Sequence, residues 1–441
     1  MIPALHLDRS VITIRHDEVV HTLLELTAPE APPHDRAPLD VVLVVDRSGS
    51  MSGRPLFAVC EAVAGMIRLA APTDRIAVVT FDNHVDVVLP LEHHDPDAAA
   101  RTVRAIASGG STNLSGGWLK AAELLVDGLR PDAIGRIVLL TDGHANSGVT
   151  EPDALATLVR GAVAQRITTS FIGFGDGHDE QLLSALADAA QGNDYWCADS
   201  DAAAAVFRRE FDGLATVVAQ NLSVHLEHTD AVATVRVLND FPCTIGDRSV
   251  QIDLGDAYGG ETRRVVAEMH LRPQHDHGPI DVATLTVRWA AVVGAPALHS
   301  VVVPVVVSVG TEHEVRDATT DPRVVEQLTL LNAARAEREA REAAERGDFG
   351  TAARLMHEGV EALTSIGMLP DAAEMYESAL TLERHEWTAM DAKRAQARSR
   401  SKSQGRMKHF ETRPDDQSDD PSGGTSGPDT PPAEPPQGTM P

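Results

Sequence analysis

Between Leu39 and about Asp212 the chain alternates unbroken apolar runs with segments whose apolar residues recur at helical spacing. Runs such as Val41-Val42-Leu43-Val44-Val45 and Ile137-Val138-Leu139-Leu140 have no polar side, the mark of strands covered on both faces. The spacing predicts strands near 40–45, 75–81, 136–141 and 168–174, and helices near 55–70, 95–107, 115–128, 152–165, 179–190 and 201–211. Val85 to Leu89, close behind the second strand, reads as its hairpin partner and an antiparallel edge, and Tyr195-Trp196-Cys197 as a final strand. Such alternation indicates an α/β fold, a doubly wound, mostly parallel sheet with helices on both faces.

From about 216 to 310 the period falls to two. Leu222–His228, Val232–Leu238, Ser249–Leu254, Thr262–Leu271, Ile280–Val292 and Leu298–Val309 read as six strands of an antiparallel β-sandwich, with turn signals at Asn239-Asp240 and Gly259-Gly260. Two short strand-like segments, Ile12–Arg15 and Val19–Leu26, precede the Pro-rich stretch Ala28–Pro38, and a sandwich has room for both. The α/β domain is then inserted between the second and third strands of a β domain. Residues 322–398 turn Ala/Glu/Arg-rich, with Gly347-Asp348-Phe349-Gly350 breaking the helices; this resembles a degenerate tetratricopeptide-type pair of helical hairpins. The expected organisation is 1–37 N-terminal strands, 38–212 α/β domain, 216–312 sandwich, 322–398 helical region and 400–441 disordered tail, the last from its Asp/Pro/Gly/Thr composition.

A chain of 441 residues with 43% apolar content can build two or three real cores. Its net charge of −27 argues against nucleic acid as a partner and favours solubility, with basic surfaces as plausible partners. Cys60, Cys197 and Cys243 are too few and scattered for a disulfide framework or a thiolate metal site, which fits a reducing cytosol. The start Met1-Ile2-Pro3-Ala4-Leu5 lacks the basic opening and apolar run of a signal peptide. Val301–Val309, interrupted by Pro304 and Ser308, is far short of the ~20 residues of a membrane helix. The expectation is a cytoplasmic protein that does not engage a membrane.

The candidate chemistry sits in three loops. Asp46-Arg47-Ser48-Gly49-Ser50-Met51 follows the first buried strand, and Pro55 suits the first turn of the next helix. Ser111-Thr112-Asn113-Leu114 follows the flexible Ser108-Gly109-Gly110, and Thr141-Asp142-Gly143 ends another buried strand. Carboxyl ends of strands are where open α/β sheets bind ligands. Carboxylates and hydroxyls without imidazole or thiolate are hard donors suited to Mg²⁺ or Mn²⁺.

These three motifs, in this order, resemble the von Willebrand factor type A (VWA) domain over roughly residues 38–212. The resemblance implies a Rossmann-like sheet and a metal-ion-dependent adhesion site formed by Asp46, Ser48, Ser50, Thr112 and Asp142, directly or through water. It implies a metal-dependent protein-binding module, not an enzyme, in which a partner's Asp or Glu completes the metal shell. Bacterial intracellular relatives working beside AAA+ ATPases make such an ATPase the leading partner expectation.

Blander readings compete elsewhere. Asp74, Asp82 and Asp86 read as surface or turn residues, and Gly173-Phe174-Gly175-Asp176-Gly177 as a tight turn lacking the later glycine of a dinucleotide loop. His93-His94 and His275-Asp276-His277 have no third ligand nearby, and Cys197 has no evident base beside it. The basic run Lys393–Lys408 reads as a solvated helix end. The enzyme alternative is a metal-dependent hydrolase using the same oxygen ligands. A serine hydrolase does not fit, because Gly49-Ser50-Met51-Ser52-Gly53 places methionine where a nucleophile elbow needs serine.

Overall fold

The computed structural model describes residues 1–31, 36–142, 145–175, 177–197, 200–292, 297–404 and 406–407, with 200–204, 401 and 406–407 described only as parts of their elements. The chain opens with three strands, β1 (Ile2–Leu7), β2 (Val11–Thr13) and β3 (Glu18–Thr27). It then enters an α/β unit of six strands: β4 (Leu39–Asp46), β5 (Arg75–Phe81), β6 (Val85–Glu92), β7 (Ile134–Thr141), β8 (Ile167–Phe174) and β9 (Asp194–Cys197). Their order is β6-β5-β4-β7-β8-β9, all parallel except β6, which pairs antiparallel with β5.

Every residue of β4 is buried because alternate side chains feed two cores. Val41, Leu43 and Val45 pack with helices α1 (Arg54–Leu69), α2 (Pro96–Arg104) and, later in the chain, α6 (Ser200–Ala215). Val42 and Val44 pack with α3 (Leu114–Gly128), α4 (Pro152–Val163) and α5 (Glu180–Ala189) on the other face. The chain leaves β4 for β5 on one side and returns to β7 on the other, so the carboxyl end of β4 is a topological switch point.

Beyond α6 come β10 (Val217–His228), β11 (Val232–Val237), β12 (Cys243–Ile245), β13 (Ser249–Tyr258), β14 (Thr262–Leu271), β15 (Gly278–Ala291) and β16 (Ala297–Gly310). They form two sheets with the N-terminal strands, β1-β3-β14-β11 and β12-β13-β10-β15-β16-β2, sharing one aliphatic core. β3 lies inside the first sheet, pairing along ten residues with β14, while β2 adds in parallel to the end of β16. Three strands exceed the sequence expectation: β1, hidden by its proximity to the terminus and by Pro3, β12, only three residues long and exposed, and the two-residue strand Arg406–Met407, which adds to β14. The buried guanidinium of Arg136 on β7 donates to Asp256 on β13 at 2.7 Å, tying the α/β unit to these sheets.

The C-terminal helices are α7 (Glu312–Asp317), α8 (Pro322–Glu345), α9 (Phe349–Ser365), α10 (Leu369–Glu383) and α11 (Ala389–Ser403), around an Ala/Met/Leu core. Helix α11 corrects two expectations. The tail does not begin at 400, since the helix runs to Ser403; residues 408–441 lie outside the described residues. Nor is the basic run from Lys393 to Lys402 solvated. Arg400 donates to Asp188 and Asp194 at 2.7 Å each, Arg398 to the fully buried Glu337, and Lys393 is itself buried beside Glu180. The acids that neutralise these cations lie 61 to 213 positions away, beyond the reach of a local charge pattern. Among the described residues no helix is long and apolar enough to cross a membrane.

Candidate metal centre

Asp46 is the last residue of β4 and wholly buried. Its Oδ1 accepts the Ser48 backbone N–H at 2.8 Å, which turns the chain sharply, and its Oδ2 accepts the Thr141 hydroxyl at 2.6 Å. One 3₁₀ turn follows over Gly49–Met51, pinned by the fully buried Met51, and Gly53 enters α1 at φ +86°, a left-handed angle that suits glycine. This geometry puts the Ser48 and Ser50 hydroxyls 3.2 Å apart, and Ser50 donates to Asp142 Oδ1 at 2.7 Å. Four of the five expected residues thus form one hydrogen-bonded chain across two loops.

Thr112, also buried, reaches the site by its backbone. Its N–H donates to Asn146 Oδ1 at 2.8 Å, and its carbonyl accepts from Asn146 and Ser147, joining it to the loop that follows Asp142. On its other side Gly109 N–H donates to Arg47 O at 2.7 Å and Gly49 N–H to Gly110 O at 3.0 Å. The Thr112 hydroxyl makes no hydrogen bond to the other four residues among the described residues.

Three supporting residues escaped the sequence reading. Asp82, expected as a surface or turn residue, lies in the turn between β5 and β6 but is buried, and its carboxylate accepts from the N–H of His84 and of Gly110 and pairs with Arg47. Burial works to raise its pKa, yet those N–H groups and the Arg47 charge hold the carboxyl below its ordinary value. Asn83 accepts from the N–H and hydroxyl of Ser111. A Cβ on Gly109 would overlap Asp82 Oδ2, and one on Gly110 would overlap the Asn83 amide, so the glycine pair allows this close approach. Asn146 is the third. Asp74 is likewise buried, gripped by Arg36, whereas the Asp86 side chain is exposed as expected.

The electrostatics favour a cation. Burial is the main force raising the Asp46 carboxyl above its ordinary value, opposed by the Thr141 and Ser48 hydrogen bonds and reinforced by the charge of Asp142. Asp142 is also pushed up by burial against the Ser50 hydrogen bond. Neither forms an ion pair among the described residues. Two desolvated carboxylates with serine hydroxyls between them make a hard-oxygen donor set that fits a divalent ion. Among the described residues no group of three or more His, Cys, Asp or Glu side chains could hold a metal, and this site combines only two carboxylates with hydroxyls.

Residues 40–209 match the family model of the von Willebrand factor type A domain, and the chain carries a domain of that type. It is 28% identical over 316 residues to the uncharacterized protein sll0103 of Synechocystis sp., covering 69% of this chain and 74% of the relative. It is 26% identical over 336 residues to the E3 ubiquitin-protein ligase WAV3 of Arabidopsis thaliana, covering 74% of this chain but only 42% of the ligase. Among solved structures, a von Willebrand factor type A protein from Catenulispora acidiphila superposes with a TM-score of 0.71 at 20% identity, covering 90% of this chain and 96% of that one. The likeness therefore extends, as a fold, beyond the type A domain. Domains of this type generally mediate metal-dependent protein interactions.

Proposed function

We propose that Asp46, Ser48, Ser50, Thr112 and Asp142 hold Mg²⁺ or Mn²⁺, directly or through water, and that the ion receives an Asp or Glu from a partner protein. The observation that carries this reading is the hydrogen-bonded array linking Asp46, Ser48, Ser50 and Asp142 at a switch point, with both carboxyls raised and neither ion-paired among the described residues. An ion held by few charged oxygens keeps net positive character, so an incoming carboxylate gains a coordination bond and neutralisation together. The protein's net charge of −27 opposes long-range attraction of an acidic partner, so the ion must supply the selectivity locally. The partner class we carry forward is an AAA+ ATPase, and the compartment is the cytoplasm, on the cysteine usage.

Calorimetry on the full chain tests the metal. The wild type should give Mg²⁺-dependent heat that the Asp46→Ala, Asp142→Ala double variant lacks; equal heats would sink the assignment. Partner capture should then vanish in EDTA, return with Mg²⁺ and fail for Thr112→Ala. Capture that persists in EDTA would put the interface elsewhere on the molecule.

A further inference from the structure

Strand β16 is fourteen residues long and pairs along its whole length with β15, but on its other side β2 covers only Ser308–Gly310. Among the described residues nothing pairs with 297–307 on that side. The hydrogen bonds to β2 reveal which backbone groups face this open edge: Ser308 N–H donates to Ser10 O at 2.8 Å, and Gly310 O accepts from Ile14 N–H at 3.0 Å. The pairing on β16 runs without an inserted residue, the one register shift falling on β15, so residues 306, 304, 302, 300 and 298 present their N–H and C=O groups to the same side. Three of these carry large apolar side chains in solvent: Leu298 is 89% exposed, Val302 60% and Val306 40%. An edge of this length and composition is a template for another strand.

The occupant follows from the symmetry of the edge. β2 closes it after Val307 and the strand begins at Ala297, so the longest antiparallel overlap of two copies has its two-fold axis at Val302. That register sets Leu298 against Val306 of the partner subunit, and Val302 against Val302 of the partner subunit. On the opposite face it sets Val301, which packs on the sheet core, against Val303 of the partner subunit. Apolar therefore meets apolar at these pairs on both faces without any shift of register, while His299 falls opposite Val305 of the partner subunit and Ser300 opposite Pro304 of the partner subunit. The geometry points to a homodimer formed by β16-to-β16 addition, joining two six-stranded sheets into one.

Two features keep this dimer weak. Pro304 faces the edge and lacks an N–H, leaving four donors from the five edge-facing residues of each copy. Each chain also carries a net charge of −27, a repulsion that salt screens. One strand pair buries less than a standard ~1,600 Å² interface, so a Kd of roughly 10–100 µM is expected.

Sedimentation equilibrium on the full chain, with hydrogen–deuterium exchange read over residues 298–306, decides the matter. We expect a monomer–dimer equilibrium that tightens as salt rises, with those amides protected only in the dimer. Val302→Lys, at an exposed position, should weaken it by about tenfold or more through like charges at the axis. Pro304→Thr should strengthen it by restoring the missing donors. A monomer at all concentrations, a dimer indifferent to Val302→Lys, or edge amides already protected in the monomer would each overturn the proposal.

Discussion

At the scale of single residues, the spacing of the three site loops depends on side chains that touch no ion. Gly109→Ala, in an exposed loop, would drive a methyl group into Oδ2 of the buried Asp82, and overpacking of this kind costs about 1–3 kcal/mol. Urea denaturation should show that loss, and calorimetry should show weaker Mg²⁺ binding, because the displaced loop carries Thr112. His21 gives a separate prediction. Its ring bonds Asp8 at 2.8 Å and lies 3.4 Å from Glu268, which Arg236 also holds. The hydrogen bond to Asp8 outweighs partial burial and raises the histidine above its ordinary value of 6.5. A raised folded-state value means that the stabilisation is complete below 6.5 and is lost as pH rises through the raised value. Thermal stability should fall across that window, and His21→Gln should flatten the fall; a wild type that gains stability there would refute the assignment.

At the scale of elements, legibility tracked how local the physics is. β4, β5, β7 and β8 announced themselves because strands buried on both faces leave no polar positions, and the helices between them repeat their apolar residues every turn. The juxtaposition of the proposed ligands was legible too, since Asp46, Ser48 and Ser50 share one turn and Asp142 directly follows a strand. Asp82 and Asn83 were not, because what makes them matter is a glycine pair 27 positions further along. Helix α11 was the larger miss. Its cations are satisfied by Glu337 in α8 and by Asp188 and Asp194 at the α5–β9 edge, so its burial is a tertiary fact. Arg400→Ala should cost about 2–3 kcal/mol in urea unfolding, less than a fully buried pair because Asp188 is 32% exposed. A change within about 0.5 kcal/mol, the usual range for surface positions, would mean that α11 does not hold these units together.

At the scale of the whole molecule, β3 has a consequence in time. Its ten residues fill the middle of a sheet whose adjoining strand β14 ends at Leu271, and even the nearest of the paired residues, Thr27 and Thr262, are 235 positions apart. Contacts separated this far form late, since the intervening chain must first be ordered or closed into a loop. On the ribosome the 40–209 domain is complete long before β14 emerges, and throughout that interval Val20, Leu23, Leu24 and Leu26, all buried in the finished protein, have only β1 beside them, a two-stranded ribbon that is marginal in water. The nascent chain therefore carries a sticky amino-terminal ribbon beside an already folded domain, a state that invites chaperone capture. Ribosome-arrested chains ending before residue 262 should have a protease-sensitive segment at 18–27 and a resistant type A domain, and the sensitivity should disappear once synthesis passes Leu271.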